Sequence, residues 1–95
     1  MSISSAIQNR QLLSFSYDGY ARVVEPHCYG IDKKGHYALS AYQVRGGSES
    51  GEYVGWKLFH ESEMQHIAVL ADTFAGPRPG YNRRDKMFTS ISAQL

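Results

Sequence analysis

The run Gln11-Leu12-Leu13-Ser14-Phe15-Ser16-Tyr17-Asp18-Gly19-Tyr20-Ala21-Arg22-Val23-Val24-Glu25-Pro26-His27 holds two extended stretches around a turn signal. Leu13, Phe15 and Tyr17 fall on one side of an extended chain, Ser14 and Ser16 on the other. Side chains alternate between the two faces of a strand, so this pattern predicts a half-buried strand over 11–17. Asp18-Gly19 suits the positive backbone angles of a tight hairpin turn. A second strand is expected over about 21–29. Pro26 lies inside it and cannot donate to a ladder, so that strand should sit at an edge or be bulged there.

The same reading extends toward both ends. Asp32-Lys33-Lys34-Gly35 is a turn, followed by a strand over 36–42 with Tyr37, Leu39 and Ala41 on one face. Ala38, Ser40 and Tyr42 take its other face. A polar glycine-rich loop covers 45–51. A fourth strand over 52–59 sets Val54, Trp56 and Leu58 against Tyr53, Lys57 and Phe59. A fifth over 64–70 turns Ile67 and Val69 inward. Ser2 can cap a short helix whose Ile3, Ala6 and Ile7 share one face. Gly76-Pro77-Arg78-Pro79-Gly80 breaks regular structure. Beyond it Met87, Phe88, Ile91 and Leu95 fall on a helical stripe, with Asn82 as its cap, which predicts a terminal helix. Shared strand parity assigns a core of Leu13, Phe15, Val23, Leu39, Ala41, Leu58, Ile67 and Val69. The expected fold is mostly β: a small five-stranded barrel over 1–75 with a short N-terminal helix, and a helical extension over 76–95 packing on it.

With 95 residues the chain forms one domain at most. Hydrophobic residues at 42% and charged residues at 20% fit a soluble globular domain. Cys28 is the single cysteine, which excludes an internal disulfide and a cysteine-based zinc site and points to a buried reduced thiol. The N-terminus lacks the basic and apolar regions of a signal peptide, and no stretch approaches the ~18 apolar residues of a membrane span. A cytoplasmic protein with no membrane partner is expected. The net charge of +1 gives no global electrostatic case for nucleic acid.

Catalytic and metal motifs are weak. His60 and His66 stand six apart, across a turn, whereas the helical zinc-protease motif needs two histidines four apart. His27 and Cys28 are strand neighbours and point to opposite faces, so they do not make a nucleophile and base. No nucleophile elbow or phosphate loop occurs. The expectation is no enzyme, no metal and no cofactor. A cationic and aromatic set is more informative. Arg22, Arg45 and Lys57 lie on or beside strands that also carry Tyr37, Tyr42 and Trp56, and parity places Tyr42 and Lys57 together. Cations hold phosphate or carboxylate, and rings stack on bases. Paired or solvated surface charges would explain each residue singly. Arg78, Arg83, Arg84 and Lys86 crowd the start of the expected terminal helix, and Arg83 and Arg84 form a secondary anion site in this reading.

Three segments in order carry a family resemblance: Arg22-Val23-Val24-Glu25-Pro26-His27, Tyr37-Ala38-Leu39-Ser40-Ala41-Tyr42 and Gly55-Trp56-Lys57-Leu58-Phe59. From about Ile3 to Phe74 the chain resembles the WYL domain, a module of bacterial regulators. The motif that names the family reads Tyr37-Ala38-Leu39 here, so its first two positions differ. The resemblance implies a bent five-stranded Sm-like barrel. It also implies regulatory ligand binding through a basic groove at Arg22, Tyr37, Tyr42, Arg45, Trp56 and Lys57. The ligand would be a nucleotide-like effector or single-stranded nucleic acid. Family members commonly carry a DNA-binding helix-turn-helix, for which this chain has no room, so a DNA-binding partner protein is one expectation. A homo-oligomerising interaction module is the other, since Sm-like barrels join edge to edge.

Overall fold

A computed structural model of the chain describes residues 2–95. It opens with the helix α1 (Ile3–Gln8), capped by Ser2, whose hydroxyl accepts from the Ser5 amide at 3.0 Å. Ser5 returns the bond to the Ser2 backbone, which closes a capping box. Six strands follow: β1 (Gln11–Tyr17), β2 (Tyr20–Asp32), β3 (Tyr37–Gly46), β4 (Gly55–His60), β5 (Gln65–Thr73) and β6 (Phe88–Gln94). One 3-10 turn (Glu61–Glu63) joins β4 to β5. No helix among the described residues is long and apolar enough to cross a membrane.

All pairings are antiparallel, in the order β4-β3-β2-β1-β5, with β6 also on β2. The thirteen-residue β2 is the spine. Its first half pairs with β1 and its second half with β6, while β3 runs along its other side. The β1–β2 turn is the expected one: Asp18 and Gly19 have φ of 52° and 79°, and Tyr17 faces Tyr20. Pro26 is accommodated by a bulge, because Pro26 faces Ala41 while Cys28 faces Ser40, which leaves His27 as the extra residue. β2 is therefore central and bulged.

Two expectations are corrected. The sheet is open and has six strands, so it is not a closed five-stranded barrel; among the described residues β4 pairs with β3 and β5 with β1, with no strand bridging them. The C-terminal segment ends in a strand and not a helix. In β6 the register skips Thr89 and then Ser92. Those bulges place Phe88, Ile91 and Ala93 against the rest of the protein at uneven spacing. The three-residue step from Phe88 to Ile91 thus imitates helical periodicity.

The main core joins α1 to the inner face of the sheet through Ile7, Leu13, Phe15, Val24, Leu39, Ala41 and Phe59. Phe15, Tyr17 and Phe59 meet edge to face, with centroids 4.9 Å apart for both pairs involving Phe59. Ile67 and Val69 pack partly buried against it. Leu13, Phe15, Leu39 and Ala41 are buried as expected, but Val24 and Phe59 replace Val23 and Leu58. The register explains both changes. Leu13 faces Val24, and Leu39 faces Phe59, so Val23 and Leu58 point outward.

Candidate functional site

The outer face of the sheet carries a cross-strand row, Glu25, Tyr42 and Trp56, set by their register. Directly opposed residues on antiparallel strands share a face, so these three must meet. Tyr42 and Trp56 rings lie edge to face, with centroids 5.6 Å apart. The segment 74–81 lies over this row as a strap. Arg78 binds both carboxylate oxygens of Glu25, at 2.7 and 3.0 Å, and lies 4.5 Å from the Tyr42 ring centre. Its backbone amide donates to His27 Nε2 at 3.1 Å. The Trp56 indole donates to the Pro79 carbonyl at 3.0 Å. Gly80, at φ 88°, passes so close to Trp56 Nε1 that an added Cβ would stand 3.1 Å from it.

His27 is the hub under this strap. It is fully buried, and its ring contacts those of Trp56, Phe74 and Tyr81. Because Nε2 accepts from Arg78, the ring proton sits on Nδ1, which donates to the Glu25 carbonyl at 2.8 Å. Burial, and then the Arg78 cation, push its pKa below the usual histidine range, while the Glu25 carbonyl and carboxylate oppose them. The Tyr81 hydroxyl donates toward the His27 and Leu95 carbonyls. Tyr81 also stacks on Trp56, with centroids 6.0 Å apart.

Where the strap turns toward β6 it leaves a cleft of about 300 Å³ against the outer face of β4. Trp56, Leu58, Tyr81, Met87 and Phe88 form its apolar walls, and Ser40, Asn82 and Asp85 supply polar groups. Cys28 lies at its base. Burial pushes that thiol up to about 11, so it is protonated and unreactive at neutral pH.

The six residues of the expected groove are dispersed. Trp56 lines the cleft, and Tyr42 stands beside it under the strap. Lys57 borders the cleft, but it faces Ala41 in register, and its ammonium bonds the Ser48 and Ser50 hydroxyls at 3.2 and 3.4 Å. Tyr42 and Lys57 therefore do not share a face. Arg22 is buried inside the sheet, donating to Gln43 at 3.2 Å and to the Tyr17 carbonyl at 3.1 Å. Its Nε has no partner among the described residues. Arg45 is exposed opposite Val23, and Tyr37 is exposed and stacks on Tyr29. Arg83 donates to the Leu95 carbonyl at 2.7 Å, and the Arg84 amide donates to Gln94. Both hold the C-terminus, and no helix starts there.

Sequence reading missed Tyr81 and His27 as site residues, and took Arg78 as part of the C-terminal basic cluster. Pro77 and Pro79 flank Arg78, and that spacing is a signal of a fixed extended strap. No metal-holding group is expected from the sequence, yet among the described residues Asp32, His36 and His60 come together as groups that could hold one, without His66. Comparison with protein-family models, curated proteins and solved structures finds no match to this chain.

Proposed function

We propose that this protein is a regulatory ligand-binding module, WYL-like in the order of its strand motifs, with a bent Sm-like sheet. It takes a flat, anionic, nucleotide-like effector in the cleft beside Trp56. The observation that carries this reading is the cleft itself, with Trp56 and Tyr81 as a stacked aromatic wall and Ser40, Asn82 and Asp85 as polar lining. Small-ligand sites are concave, mostly apolar and fitted with few polar groups, and this volume lies at the small end of their range. A base would stack on the aromatic wall and present N–H donors to Asp85. Its phosphate would extend over the β4 edge to Lys57, which borders the cleft, projects from the other face of the strand, and holds only neutral hydroxyls in the hydrogen bonds described. Asp85 disfavours a long polyanion, so a mononucleotide fits better than a nucleic-acid strand.

Trp56 is the only tryptophan, so it reports directly on the cleft. Titration with purine and pyrimidine mononucleotides should quench its fluorescence saturably and raise the melting temperature. Lys57→Ala should weaken phosphorylated ligands more than the matching nucleosides. A panel that leaves both fluorescence and melting unchanged overturns the reading.

One observation favours a second reading, a homo-oligomerising interaction module. Tyr53, Val54 and Leu58 are 57%, 61% and 40% exposed, on and just before β4, whose outer edge pairs with no strand among the described residues.

A further inference from the structure

Asp32 and His36, at the turn between β2 and β3, meet His60 at the end of β4, beside a depression that Lys33, Lys34 and Lys86 also line. Asp32 is mostly buried and its two oxygens have separate tasks. Oδ1 accepts from the Lys34 and His36 amides, both at 2.9 Å, which fixes the carboxylate. Oδ2 is left facing His36 Nδ1 at 3.8 Å and His60 Nε2 at 3.9 Å. All three candidate ligand atoms lie within 4.8 Å of one another.

We infer that Asp32, His36 and His60 form a divalent transition-metal site, of the two-imidazole, one-carboxylate type. Bonds of about 2.1 Å at tetrahedral angles set ligand atoms about 3.4 Å apart. Small side-chain rotations therefore close the site, and His36 is exposed enough to make them. Imidazole with carboxylate suits Zn2+, Co2+ and Ni2+ and does not suit Mg2+ or Ca2+. The other nitrogen of His60 faces Glu63 at 3.8 Å. A carboxylate behind a ligating histidine orients the ring and fixes its tautomer. Glu63 is itself reached by the Tyr17 hydroxyl, which also accepts the His60 amide. Three protein ligands leave a fourth position for water or an anion, on the side where the lysines lie. The ion ties the β2–β3 turn to the end of β4.

The test is zinc titration of the untagged full chain by calorimetry, with Co2+ absorption to read the coordination geometry. One equivalent should bind, and it should raise the melting temperature reversibly with chelator. His36→Gln and His60→Gln should each weaken binding by at least about tenfold, the scale already seen for losing an orienting partner. Asp32→Asn should do the same while keeping an oxygen for the two turn amides. His66→Gln should bind like wild type. Metal-free melting of the His36→Gln protein should be unchanged, which separates lost ligation from lost folding. No saturable uptake, or equal uptake by wild type and His36→Gln, overturns the proposal.

Discussion

His27 shows how a single side chain can tie the stability of a strap to pH. Its two ring nitrogens are used up in the neutral form, one donating and one accepting. Protonation would put a second donor against the Arg78 amide inside a ring of aromatics. The folded-state pKa is depressed, so the unfolded chain binds the proton more readily. Stability is then fully present above the usual histidine value of about 6.5, and is lost as pH falls from there through the folded value. The urea midpoint of wild type should fall more steeply between about pH 7 and pH 5 than that of His27→Gln. The two leucines make a plainer contrast. Leu39 is fully buried, and Leu39→Ala should cost about 2–5 kcal/mol. Leu58→Ala, at an outward position 40% exposed, should stay within about 0.5 kcal/mol by the same denaturation.

The terminal strand is the element whose identity depends most on its neighbour. Met87, Phe88, Ile91 and Leu95 keep a helical spacing, yet β6 is extended because β2 offers a free edge beyond Cys28. Tertiary pairing overrides local periodicity there, as β-structure commonly allows. The contact needs Gly30. A Cβ at that position would overlap the Ser90 carbonyl oxygen and the Ile91 Cα, so the two backbones lie closer than any side chain permits. Gly30→Ala should detach β6. Amide exchange over Phe88–Gln94 should accelerate while β1, β3 and the first half of β2 stay protected. Equal protection in both proteins would show that β6 is held by other contacts.

At the scale of the whole molecule the outer edge of β4 pairs with no strand among the described residues. Unpaired edges invite pairing with another chain, and β4 adds exposed apolar side chains. A ligand-binding module should nonetheless sediment at the 10.7 kDa monomer mass across micromolar concentrations. A mass that rises with concentration, and returns to monomer in Val54→Lys, would favour the interaction module instead. The strap matters at this scale too. The Tyr42 ring is covered by Arg78, a cation from the same chain, and Trp56 is tied to Pro79 beside it. A ligand therefore has the adjoining cleft open to it, and not the row beneath the strap.

The local patterns of the chain were enough for α1 and its cap, the Asp18-Gly19 hairpin and the inward Leu13, Phe15, Leu39 and Ala41, because each depends on neighbours a few residues away; at Pro26 they left an edge and a bulge both open. The inward position of Arg22 was not read from the sequence, which set Arg22 in the ligand groove; it follows from the register, since a turn that pairs Tyr17 with Tyr20 also pairs Phe15 with Arg22. Parity counted strand by strand, without that pairing, assigned Val23 to the core. The burial of Phe59, the extended state of β6, the Glu25–Arg78 clasp and the meeting of Asp32 with His60 were decided only by the tertiary structure. Each depends on register or on contact between residues distant in the chain, and a one-residue shift in register exchanges the two faces of a strand.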